Sequence, residues 1–342
     1  MTFPNPTVSG GASAAAAGAV NAGVTAPRGR GGRRRTRPSR VIFLLVTVGI
    51  PMVVYLGLVI WPFLQAVYYS LTDWGGFSNT MNFVGLSNYR YIFTDGIFPL
   101  AVRNNIILAI LVPLITVILS FVLATMVTVG GSSTGAVRGL AGSSFYRIVS
   151  FFPYTIPAIV IGVIWAQIYD PSKGMLNGVL THVPLIGKHF DSFAWLGEVK
   201  SAMPASIFVI IWGFVGFYMV LFVAAIKGIP AELYDAARID GAGRLRTMWS
   251  VTLPMVRETV QTAYVYLGVV ALDAFVYMAA LNPTGGPNNS TLTMSQDLFK
   301  TAFAQDQFGK ACAMGVVLAV VTLVFAALVF GVNKLISRRE GV

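Results

Sequence analysis

Few residues in this chain have the type and placement to do chemistry, and one carboxylate stands apart from the others. Asp273 lies well inside a long apolar run, where an ionised side chain is costly enough to face a bundle interior or a water-filled cavity. Helical spacing puts Tyr266, Val270 and Tyr277 on its stripe: an acceptor for hydroxyl groups, flanked by aromatic rings. At 1.5 Å per residue Asp273 is roughly 22 Å along a helix from Glu258, within an apolar layer about 30 Å thick. The structural alternative is an Asp that hydrogen-bonds a neighbouring helix. Trp212 and Tyr218, in another apolar run, are weaker ring candidates, because aromatics in such runs more often pack.

Other chemistries are excluded or left without support. With one cysteine, Cys312, neither an intramolecular disulfide nor a thiolate cluster can form. His182 and His189 share a polar connection with Asp191, which reads as a solvated loop more readily than as a metal site, and no metal is assigned. The chain lacks the G-x-x-x-x-G-K-[ST] phosphate loop and cannot be the subunit that hydrolyses ATP.

The elements that must position these residues are apolar helices. Of 342 residues, 56% are hydrophobic and 11% charged, too little polar surface to cover a soluble globule. Runs near 41–65, 104–128, 147–169, 202–226, 259–281 and 312–333 each have the length of a membrane span. The expected fold class is an all-α integral membrane protein of six transmembrane helices. Pro51 and Pro62 fall within the first span, where a kink is expected more than a break.

Orientation follows from Lys and Arg, which are in excess on cytoplasmic flanks. Arg28, Arg30, Arg33, Arg34, Arg35, Arg37 and Arg40 crowd the N-terminal segment; Arg138 and Arg147 mark the second connection; Lys227, Arg238, Arg244, Arg246 and Arg257 the fourth; Lys334, Arg338 and Arg339 the C-terminal end. The opposite side keeps only Arg90, Arg103, Lys173, Lys188, Lys200, Lys300 and Lys310. Both termini are therefore expected in the cytoplasm, and Trp61, Tyr68, Tyr69 and Trp74 mark where the first span reaches the outer interface. Residues 1–40, rich in Gly, Ala, Ser, Pro and Arg, read as a disordered cytoplasmic tail and 336–342 as a second short tail, with the six-span body between them at 41–335. The arginines of the tail suit anionic lipid, and no nucleic acid partner is inferred. The outer connections near 66–103, 170–201 and 282–311 are too short for a separate soluble domain, so any large extracytoplasmic domain belongs to another chain.

The connection at about 228–258 is unusually structured, PAELYDAARIDGAGRLRTMWSVTLP from Pro230 to Pro254. It predicts a helix, a turn and a helix. Pro230 suits a helix start, Glu232 favours the positive end of the helix dipole, and Gly241 offers the left-handed conformation that ends a helix. Leu233, Ala236, Ala237 and Asp240 fall on one shallow face; a second helix near 243–253 puts Leu245, Met248, Trp249 and Thr252 on one side before Pro254 stops it. An amphipathic hairpin lying on lipid headgroups would read the same way.

Asp235, Ala236 and Ala237, then Gly241, Val251, Leu253 and Pro254, resemble the "EAA" signature of bacterial ABC importer permeases, with Asp for Glu at 235 and Val for Ile at 251. The run Glu232–Ala242, the segment FVGLSNYRYIF at 83–93 and the segment NPTGGPNNSTLTMSQDLFKTAF at 282–303 are similar to the carbohydrate branch of that family, and the likeness spans about 40–340. The long outer insertion and the two additional N-terminal spans of the maltose-type permease are absent. The resemblance implies a type I importer fold in the cell membrane, a transport subunit and not an enzyme, in which Glu232, Asp235, Ala236, Ala237, Gly241, Leu253 and Pro254 form the ATPase-coupling loop. It implies a second permease subunit, cytoplasmic ATP-binding subunits that hold the ATP and Mg, and an extracytoplasmic substrate-binding lipoprotein as partners. The implied cargo is a sugar, an oligosaccharide or amino sugar. Glycerol phosphate or another polar solute is the alternative cargo. A secondary transporter would show repeated halves, and no clear internal repeat is present.

Overall fold

The computed structural model of the chain describes residues 42–77, 80–128, 142–184 and 187–339. Two compact units divide between Leu56 and Gly57. In the first, the described residues 42–56 are helical, with a π-turn at Leu45–Gly49 followed by an α-helix at Ile50–Tyr55 that holds Pro51 in its first turn. The second holds the rest and is helical between its connections; among the described residues the only strand-like pairing is an isolated bridge, Thr72 to Phe83.

Among the described residues four helical runs are long and apolar enough to cross a membrane: span one, Ile42–Tyr69; span two, Ile97–Thr128; span four, Val199–Lys227; and span six, Phe308–Gly331. Two more segments meet the test only as bent pairs. Span three is Ser144–Thr155 with Ala158–Ile168, bent by 97°, and span five is Arg257–Leu272 with Phe275–Leu281, bent by 50°. With each pair counted as one crossing, the described residues hold six spans.

The spans expected at 147–169 and 259–281 are each found as a bent pair of helices. In span three the cause is two prolines. Pro153 sits in the 3-10 turn Phe152–Thr155, and Ile156, preceding Pro157, is extended at φ −84° and ψ 133°, as the residue before proline prefers. The helix must stop and restart. Three other prolines are accommodated without a break just after a π-turn: Leu45–Gly49 before Pro51, Leu56–Ile60 before Pro62, and Met248–Thr252 before Pro254. A widened turn relieves the clash between a proline ring and the carbonyl one turn earlier. The C-terminal helix runs on to Arg339, past the start expected for a tail at 336. The N-terminal segment at 1–40, Arg138 and residues 340–342 lie outside the described residues.

Spans two, four and five make the core. At its centre Leu108, Val112, Ile161, Ile210 and Met278 are buried together; at the end carrying the 228–258 connection, here called the inner end, Phe121, Phe222, Val256 and Leu267 are; at the outer end Ile92, Phe98, Leu292 and Met294 pack against Ala313. With lipid as apolar as leucine, close backbone approach is what holds such helices together. At Gly216 a Cβ would lie 1.6 Å from the carbonyl oxygen of Ser150, so span three rests directly on the backbone of span four. The hydroxyl of Ser120 adds a bond across spans, donating to the carbonyl of Val215 at 2.8 Å.

Candidate functional site

The 228–258 connection is a hairpin whose first arm is helix α1, Ala231–Ile239. Pro230 is the residue before its first turn, extended at ψ 134°, and Glu232 lies in the first turn beside unpaired backbone N–H groups. The helix ends on a Schellman pair: the N–H of Ala242 donates to the carbonyl of Ala237 at 2.9 Å and that of Gly241 to Arg238 at 3.0 Å. Gly241 stands at φ +71°, the left-handed region. Asp235 and Arg238 form an exposed ion pair at 3.1 Å, of the class that contributes under about 1 kcal/mol.

The exposed face differs from the expected one. Ala237 turns inward with Tyr234, while Glu232, Leu233, Asp235, Ala236, Ile239 and Asp240 are exposed, Ile239 at 87%. Tyr234 is the anchor that sequence reasoning missed. It is 3% exposed among Ile229, Val256 and Phe222, and its hydroxyl lies 3.3 Å from that of Thr252 in the second arm. Burial pushes the Tyr234 phenol above its ordinary range.

In that second arm, helical from Arg244 to Met255, the π-turn at Met248–Thr252 changes the register. Thr247 and Thr252 are buried, Met248, Val251 and Leu253 half-buried, and Leu245 and Trp249, expected on the same side as Met248 and Thr252, are exposed. Pro254 does not stop the helix; the chain turns two residues later at Val256, φ −103° and ψ 13°. The result is a two-armed hairpin fixed to the inner ends of spans two, four and five through Tyr234, Met248, Val251 and Val256.

Span five breaks at Asp273 (φ −108°, ψ 48°) and Ala274 (φ −77°, ψ 25°). Of the expected stripe, Tyr266 and Asp273 are exposed, Val270 is half-buried and Tyr277 is buried. Thr262, Tyr266, Val269, Asp273 and Val276 are the exposed residues at helical spacing, and Tyr277, 9% exposed, points into the core. Among the described residues the Asp273 carboxylate has no hydrogen-bond or ion-pair partner, so nothing holds it in the role of a structural inter-helix bond.

The ring candidates separate into two groups. Tyr277 meets Phe214 at 6.1 Å between centroids, Tyr154 meets Phe214 at 6.1 Å, and Tyr154 stacks on Phe217 at 4.5 Å. Trp212 meets Trp165 edge-on at 5.5 Å, and Trp165 in turn meets Phe208 at 5.2 Å. Tyr218, 2% exposed against Phe217, is packing within the inner core. Tyr154, Trp165, Phe214 and Phe217 were not singled out from sequence, because they gather only through the bend in span three. Among the described residues no three of His, Cys, Asp and Glu gather as metal ligands; the Nδ1 of His182 lies 2.7 Å from the carbonyl oxygen of Gly178, and His189 faces the ring of Phe193.

Residues 127–342 match the family described as the binding-protein-dependent transport system inner membrane component. The chain is 59% identical over 318 residues to the diacetylchitobiose uptake system permease protein of Streptomyces coelicolor, covering 92% of this chain and 90% of that one. It is 27% identical to the sn-glycerol-3-phosphate transport system permease protein of Agrobacterium fabrum, covering 79% and 87%. Its fold is similar to that of a chain in the crystal structure of a bacterial alginate ABC transporter in complex with an alginate-pentasaccharide-bound periplasmic protein, with a TM-score of 0.71 at 21% identity, covering 87% of this chain and 96% of that one. The chain thus belongs to the binding-protein-dependent family of inner-membrane transport components, as a multi-pass ABC importer permease that carries a solute and is not an enzyme.

Proposed function

We propose that this permease imports a short amino-sugar oligosaccharide, of the diacetylchitobiose kind, by alternating access driven by ATP hydrolysis on partner subunits. The observation that carries the reading is 59% identity along 92% of the chain to a permease of diacetylchitobiose uptake. In this reading both termini are cytoplasmic, as the distribution of Lys and Arg favours. A second permease subunit completes the pathway, two cytoplasmic subunits bind ATP and Mg, and an external lipoprotein delivers the sugar.

The hairpin is the coupling element. Its exposed face, Glu232, Leu233, Asp235, Ala236, Ile239 and Asp240, presents acids around an exposed isoleucine to an ATPase cleft, with Gly241 fixing the turn beneath. Its buried face, through Tyr234 and Val256, is continuous with the core of spans two, four and five. Leu253 and Pro254 close the arm that runs into span five. A push on such a hairpin moves packed helices as a body, because close-packed cores are bistable and do not deform continuously.

The pathway side of span five is the Asp273 stripe, with Tyr266 two turns below and Trp212 on span four as further contacts. A carboxylate can accept bonds from sugar hydroxyls while rings cover the apolar face of the pyranose. The test is purification and uptake together. The chain should bring down an ATP-binding subunit, and vesicles with the full complex should accumulate labelled diacetylchitobiose only with ATP inside. Accumulation by this chain alone would sink the reading in favour of a secondary transporter. The glycerol-phosphate alternative rests on the 27% relative; competition by excess glycerol phosphate and not by diacetylchitobiose would favour it.

A further inference from the structure

Span two carries two adjacent amides near its outer end, and both are buried. Asn105 is 0% exposed and Asn104 7%. Neither amide contacts its own helix. The Nδ2 of Asn105 donates to the carbonyl of Leu272, the last residue before the break in span five. That carbonyl lies at a helix end, where no intrahelical N–H reaches it. The Oδ1 of the same side chain accepts from the N–H of Met294 at 2.8 Å, 189 residues away in sequence. Met294 begins helix α2, Met294–Phe303, which follows the outer turn.

Asn104 holds the turn itself. Its Nδ2 donates to the carbonyls of Asn289 at 3.0 Å and Leu292 at 2.9 Å, and the Nε2 of Gln296 closes the base of the turn by donating to the carbonyl of Asn282 at 3.0 Å. Asn288 and Asn289 stand at φ 52° and 58°, so the turn has a fixed shape, and its outward residues are Pro283, Thr284 and Asn288. A displaced turn therefore pulls on Met294, then on Asn105, then on the carbonyl beside Asp273.

We propose that Asn105 is a positioning residue for transport, its one buried amide linking the outer turn and α2 to the break in span five. A partner that displaces the turn thereby changes where Asp273 points. The partner is the external sugar-binding protein, so the proposal rests on the importer reading above.

The test uses the assembled transporter in nanodiscs, with ATP hydrolysis measured with and without the loaded binding protein. Met294→Pro removes the N–H that Asn105 accepts. It does so at the first position of a helix, where proline is favoured, after Thr293, already extended at φ −102° and ψ 158°. Met294→Ala loses the same buried side chain and keeps the N–H, so the pair isolates one bond.

Stimulation by the binding protein is expected to fall about tenfold in Met294→Pro relative to Met294→Ala, the shift that one lost buried hydrogen bond of about 1.4 kcal/mol produces. Asn105→Leu should match Met294→Pro, and the double variant should be no worse than either. Ser120→Ala, which removes a part-buried bond between spans two and four away from the break, should keep wild-type stimulation. Equal stimulation in Met294→Pro and Met294→Ala overturns the proposal, as does an equal loss in Ser120→Ala. A wild-type complex that the binding protein does not stimulate overturns the importer reading first, and the two failures are distinct.

Discussion

The N–H of Ala242 reaches back 2.9 Å to the carbonyl of Ala237, and this bond sets the angle between the two arms of the inner hairpin. It forms only because Gly241 adopts φ +71°. A Cβ at 241 would meet nothing within 4 Å, so the demand is one of backbone conformation and not of space.

Gly241→Ala should therefore cost the hairpin about 1–2 kcal/mol, the left-handed penalty for an L-residue, and Gly241→Asn less, because Asn tolerates that region. Recovery of the ATP-binding subunit on an affinity-tagged permease should fall in the order Gly, Asn, Ala. Faster hydrogen exchange at the amides of 241 and 242 should accompany the loss. Equal recovery across the three would mean that the turn does not fix the docking surface.

Gly216→Ala is a change of a different kind. The added methyl would lie 1.6 Å from the carbonyl oxygen of Ser150, which is backbone and cannot rotate aside. Overpacking of this sort costs about 1–3 kcal/mol or more, and here it would push span three off span four. Gly331→Ala, with nothing within 4 Å, is the matched control. Thermal unfolding in detergent should show a clear loss for the first and no change for the second; a stable Gly216→Ala protein would contradict the close approach.

Much of the architecture was legible in the residues, and the parts that were not share a cause. Span positions follow from apolar length, a property of each segment alone, and the observed runs start and end within seven residues of those expected. Gly241 was legible for the same reason: a turn residue after a periodic helix has a local meaning. The bends were not, although Pro153 and Pro157 carried a signal, because prolines in spans two and four, Pro113 and Pro204, leave their helices whole. What separates the cases is the pairing that neighbours provide to freed backbone groups. At that break the carbonyl of Leu272 is met by Asn105, 167 positions earlier, and no local pattern joins those two residues. Tyr277 was misplaced because helical spacing was carried across that break. The burial of Tyr234, likewise, is decided by what packs under the hairpin.

Asp297 gives a pH dependence that can be measured. Lying at the start of α2 and 7% exposed, its carboxyl is pushed up to about 6, first by burial, with Lys300 opposing the shift and Asp95 adding to it. A folded-state value above the ordinary carboxylate range means that protonation favours the folded chain. Its contribution is present in full below the unfolded value, about 4, and is lost as pH rises through about 6. The melting temperature of the wild type should therefore gain, on going from pH 7.5 to 5, relative to Asp297→Asn, and the variant should be the more stable at pH 7.5. Parallel profiles for the two proteins would show that the carboxyl is solvated.

Asp273 is the sharper test of the transport pathway. Its carboxylate is exposed at the break in span five and, among the described residues, has no partner that a substitution would orphan. Removing it should leave the fold intact, unlike removal of a buried ion-pair partner, which costs about 3–5 kcal/mol. Asp273→Asn keeps the size and one acceptor oxygen, whereas Asp273→Ala keeps neither. If the carboxylate accepts sugar hydroxyls, each lost charged hydrogen bond costs about 1.5–3 kcal/mol, or roughly tenfold to a hundredfold in uptake. Uptake should fall in the order Asp, Asn, Ala, with recovery of the ATP-binding subunit and the melting temperature unchanged. Tyr266→Phe, on the same stripe, should fall less, because the ring that would cover the sugar remains. Uptake in Asp273→Ala equal to wild type would remove this face of span five from the pathway and leave the ring groups around Trp212 and Tyr154 as the surface to test.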